Sequence, residues 1–130
     1  MPANSLYYHP ELTLPDLLRR AANFEHPLFI GYVDEKGNRQ QQSYAELYTA
    51  ARQLAIGLGN LGLKKGDKAI IATLMNRETI TLLWGCFLAG IVPTVLQPPM
   101  TFSGYNPSVV KLMNVFEQLE QSYIFMSSEM

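Results

Sequence analysis

Residues 43–99 read SYAELYTAARQLAIGLGNLGLKKGDKAIIATLMNRETITLLWGCFLAGIVPTVLQPP, and this stretch decides the fold. It opens with Ser43 and Glu46, a Ser-x-x-Glu capping box in which each side chain satisfies a backbone N–H of the first helical turn. Leu47, Ala51, Leu54, Leu58 and Leu61 follow at spacings of four, three, four and three. That spacing predicts one apolar stripe on a helix reaching about Leu61. Gly62 closes the helix, and Gly66-Asp67 turns the chain into a buried-type strand over 68–74. Asn76 is expected to cap a second helix, 77–89, with Glu78 in its first turn. Ile80, Leu82, Leu83, Trp84, Phe87 and Leu88 cover more than one of its faces, as in a helix held between two layers. Gly85 in mid-helix costs about 1 kcal/mol relative to alanine, and its use is close approach to a neighbouring backbone. Gly90 ends the helix, 91–96 forms the next strand, and Gln97-Pro98-Pro99 stops it, since proline cannot donate to a ladder.

Outward from this centre the pattern continues. Asn106 caps and Pro107 opens a third long helix to about Gln121, with Val109, Leu112, Met113, Phe116 and Leu119 on its buried side. Tyr123 to Met126 reads as a last short strand. On the other side, Thr13 caps a helix over 14–23, with Pro15 and Asp16 in its first turn. His26-Pro27 ends that element. Leu28 to Val33 reads as a strand, Asp34 to Asn38 as a turn, and Arg39 to Gln42 as a polar return strand suited to a sheet edge. The order β(68–74)–α–β(91–96)–α–β(123–126) with short connections predicts an α/β fold, a mostly parallel sheet with flanking helices. Residues 1–130 fit a single domain, with 1–11 a polar surface leader.

The composition narrows the function. Hydrophobic residues make up 48% and charged residues 16%, with a formal net charge of -1. Nothing in that balance attracts nucleic acid or an anionic membrane. The longest apolar segment, 80–96, is broken by two glycines and Pro93 and is too short for a transmembrane span. The single cysteine, Cys86, rules out an intrachain disulfide and suggests a reducing compartment, so a cytoplasmic protein is expected. Its apolar neighbours make it a packing residue rather than a nucleophile.

Candidate chemistry is sparse. The strand-to-helix junction Leu74-Met75-Asn76-Arg77-Glu78 has no glycine to wrap a pyrophosphate, and Glu78 would oppose one. There is no Gly-Lys-Ser/Thr, so no P-loop. His9 and His26 lack zinc-ligand spacing. Ser103-Gly104 has no identifiable partner base, and Asp34-Glu35 reads as a solvated turn. The residues nominate no catalytic, cofactor-binding or metal-binding side chain.

The segment SYAELYTAARQLAIGLGNLGLKKGDKAII resembles the early S/T-Y-x-E-L … A-x-x-L-x-x-x-G-[LV]-x-x-G-D-x-V signature of the AMP-forming adenylating superfamily. ETITLLWGCFLAGIVPTVLQPP is similar to the segment that follows it there, with Gly85, Ala89, Gly90 and Pro93 in the matching places. The resemblance covers about residues 12–126. That superfamily includes acyl-CoA synthetases, fatty acyl-AMP ligases and the adenylation domains of nonribosomal peptide synthetases. Leu96-Gln97-Pro98-Pro99 looks most like the fatty acyl-AMP ligases. The resemblance implies a partial N-terminal subdomain of an adenylate-forming enzyme. Such a parent uses ATP and Mg²⁺ to activate a carboxylate, here a fatty acid, and passes it to CoA or a carrier-protein thiol. The family's phosphate loop, adenine, ribose and Mg²⁺ residues and catalytic lysine lie beyond the matched region. The chain alone is therefore expected to be inactive, to need the remainder of the adenylation domain as partner, and to self-associate. The alternative is a non-catalytic interaction module from a shortened gene; an unrelated small ligand-binding domain would call for a glycine- or charge-lined strand end, which is not seen.

Overall fold

Two capping boxes begin two of the helices. The computed structural model describes residues 12–25, 28–74, 76–101, 106–120 and 122–127. Helix α1 (Leu14–Ala22) starts where the Asp16 carboxylate accepts the Thr13 N–H at 3.1 Å and the Thr13 hydroxyl accepts the Asp16 N–H at 3.4 Å. Strands β1 (Phe29–Val33) and β2 (Arg39–Ser43) pair antiparallel from Phe29↔Ser43 to Val33↔Arg39. Asp34 makes the turn between them: its carboxylate accepts the Lys36 and Asn38 N–H groups, and Gly37 takes the left-handed conformation the reversal needs. Among the described residues this ribbon is a sheet of its own, not the edge of the main sheet. The reason is that β2 runs straight into the next helix, and Ile30 packs into the core beneath that helix.

Helix α2 (Tyr44–Asn60) has its Ser43–Glu46 box in place, with both bonds at 3.0–3.1 Å. Leu47, Ala51 and Leu58 are buried as the stripe requires, but Leu61 is 68% exposed. The helix ends one residue before it. Gly62 reverses the chain at positive φ, its N–H bonds Gly59 O, and the Leu63 N–H returns to Leu58 O at 3.1 Å. In this Schellman arrangement the residue after the glycine, not the one before it, folds back on the helix. Leu63, 6% exposed, therefore takes the core place expected of Leu61.

The main sheet holds β3 (Lys68–Ala72), β4 (Val92–Val95) and β5 (Tyr123–Met126), in the order β4-β3-β5 and parallel throughout. Ala69 to Ala72 have no exposed surface, as a strand covered on both faces must. Ala69 and Ile71 meet Leu58, Leu63, Cys86 and Ile91 on one face. On the other, the Lys68 ammonium donates to Leu119 O, 2.9 Å away at the end of α4 (Pro107–Leu119). Alternation along the strand puts Ile70 on this second face with Lys68.

Helix α3 (Asn76–Ala89) lies between the two core clusters: Cys86 joins the sheet cluster, while Ile80, Trp84 and Leu88 pack on Leu18, Leu47 and Ala51. Asn76 is the first helical residue rather than the cap. Gly85 does mark a close approach, but to a side chain: an added Cβ would lie 2.9 Å from Leu54 Cδ2 and 3.2 Å from Leu54 Cβ on α2. On α4, Asn106 caps as expected and Leu112 is buried, whereas Met113 is 49% exposed. The buried stripe of this helix is narrower than its apolar residues suggested. The expected leader over residues 1–11, His9, His26-Pro27 and Ser103-Gly104 lie outside the described residues.

Candidate functional site

A parallel sheet with helices on both faces presents its ligand-binding edge at the carboxyl ends of its strands, where successive connections depart to opposite faces. Here α3 leaves β3 toward one face and α4 leaves β4 toward the other. The residues at that edge are Thr73, Leu74, the first turn of α3, Leu96-Gln97 and Ser127. They are tied to one another. The Thr73 and Thr79 hydroxyls share a hydrogen bond. The Leu74 N–H donates to Ser127 Oγ at 2.9 Å, and Ser127 donates onward to Glu78 Oε2 at 2.8 Å. A backbone donor and a carboxylate that could have faced a ligand are thus joined through one serine.

This donor set does not fit the phosphates of a nucleotide. Glu78 puts a negative charge where the helix dipole would favour an anion, and Ser127 already takes the strand-end N–H. Among the described residues no group of three or more His, Cys, Asp or Glu could hold a metal ion. The other carboxylates serve local turns. Hydrogen bonds from the Asn38 side chain and backbone hold Asp34 below its ordinary pKa, and the backbone N–H and hydroxyl of Thr13 and of Ser43 do the same for Asp16 and Glu46. Cys86 is buried, and desolvation pushes its thiol up to about 11. It stays protonated and inert at neutral pH.

Two hollows lie elsewhere. Leu17, Leu18, Ala21, Leu28, Tyr44 and Trp84 line an apolar one beside α1. The other is an open groove of about 410 Å³ along α2, lined by Gln42, Ala45, Glu46, Thr49, Ala50, Gln53 and Arg77. At its end the Tyr32 hydroxyl donates to Gln42 Oε1 at 2.8 Å, and the Arg77 guanidinium stands 6.0 Å over the Tyr32 ring. Burial raises the Tyr32 pKa against the opposing pull of Arg77. No sequence signal marks this cluster, because its members come from β1, β2, α2 and α3.

The residues that carry the sequence resemblance do structural work. Gly85 admits Leu54, and Gly90 takes a positive φ where a Cβ would meet Lys65. The Val92 N–H donates to Asp67 O just ahead of β3 and the Leu96 N–H to Ile71 O within it, so the intervening Pro93 faces the side of β4 away from β3 and no bond to β3 is lost.

Residues 18–111 match the family model described as AMP-binding enzyme. The acetyl-coenzyme A synthetase of Chromobacterium violaceum is 30% identical over 91 residues, which cover 70% of this chain and 13% of that protein. McyG A-PCP complexed with phenylalanyl-adenylate has a TM-score of 0.83 at 34% identity, over 91% of this chain and 18% of that one. A structure from work on fatty acyl-adenylate ligases from E. coli and L. pneumophila has a TM-score of 0.78 at 26% identity, over 90% and 21%. The chain spans between 11% and 13% of the length of the curated relatives it matches.

Proposed function

The chain belongs to the AMP-binding enzyme family, and from that premise we propose that it is the N-terminal part of an ATP-dependent ligase that activates a carboxylate as its acyl-adenylate. The observation that carries this reading is the family match across 18–111, on a fold shared over nine-tenths of the chain with adenylate-bound McyG A-PCP. In the proposed parent, a carboxylate oxygen displaces pyrophosphate from ATP, and a thiol then displaces AMP from the acyl carbon. The thiol belongs to CoA or to a carrier protein. The proposed carboxylate is a fatty acid, supported by the double proline after β4 and by the likeness to the fatty acyl-adenylate ligases.

This chain's own part is architectural. Its strand-end residues do not suit phosphate or Mg²⁺, so those groups fall to the remainder of the adenylation domain. Here the exposed apolar side chains of α4 and β5 offer the surface on which that remainder would pack. Pyrophosphate exchange tests the reading. With ATP, Mg²⁺ and a panel of acetate, fatty acids, phenylalanine and keto acids, the 130-residue chain is expected to stay at background. Adding the family's phosphate-loop region in a longer polypeptide is expected to give acid-dependent exchange, strongest with a fatty acid. Exchange by the 130 residues alone would overturn the architectural role, and preference for phenylalanine or a keto acid would overturn the fatty-acid assignment.

A further inference from the structure

We draw no further inference here: the strongest candidate, the exposed apolar face of α4 and β5, is the surface already assigned to the remainder of the adenylation domain, and nothing in the structure shows what else covers it.

Discussion

Gly85 and Glu46 show how far single residues act in this chain. Leu54 occupies the space where a Gly85 side chain would go, with contacts at 2.9–3.2 Å to an added Cβ. Gly85→Val should destabilise the fold by about 1–3 kcal/mol, because it forces apart two packed helices. Shortening the neighbour in the Gly85→Val/Leu54→Ala pair should recover part of that loss; urea midpoints of the two variants decide it. Ser43→Ala should cost about 1 kcal/mol through the lost cap. Glu46, Asp16 and Asp34 have pKa values lowered by the hydrogen bonds they accept in the fold. A carboxylate of that kind stabilises fully above its ordinary pKa, about 4, and ceases to do so as pH falls through the lowered value. Urea midpoints should accordingly be flat near neutrality and fall below about pH 4, and Glu46→Gln should shallow that fall. A midpoint that rises on acidification would contradict the assignment.

At the scale of elements, what was legible in the sequence is what is decided within a few residues. The Ser43–Glu46 box, the Thr13 cap, the glycine ends of α2 and α3, and the proline stop are local, and each stands where the sequence places it. The errors concern where elements go afterwards. Leu61 and Leu63 exchange roles because a left-handed glycine chooses which residue turns inward, and periodicity extended past the helix end cannot see that. The β1–β2 ribbon stands apart from the main sheet because its partner is the core under α2, a matter of packing and not of polarity. The candidate site is less legible still: Ser127 joins Glu78 across 49 residues and Leu74 across 53. Helix α4 offers a test at this scale. Leu112 is its one fully buried side chain, so Leu112→Ala should cost about 2–5 kcal/mol. Hydrogen exchange should then speed in α4 and β5 before it does in α2 or α3; uniform loss of protection would mean that α4 is no separate weak point.

Across the whole molecule, apolar surface is unevenly covered. Val110, Met113, Tyr123 and Ile124 are exposed on α4 and β5, and β5 has a neighbour on one side alone among the described residues. Faces of this kind seldom stay bare, and a free strand edge is a template for pairing. The isolated chain is expected to associate with itself, most simply as a two-fold pair. Light scattering over a concentration series checks this, and a strict monomer at every concentration would refute it. The strand order β4-β3-β5 has a further consequence, one of timing. The most deeply buried strand is also the middle one, and it leaves the ribosome before either of its flanking partners. Ala69 must wait for Tyr123 to complete its second border. Throughout that interval of synthesis a nascent chain carries β3 with one open side, so it is during translation, more than after it, that this protein most needs shelter from mispairing.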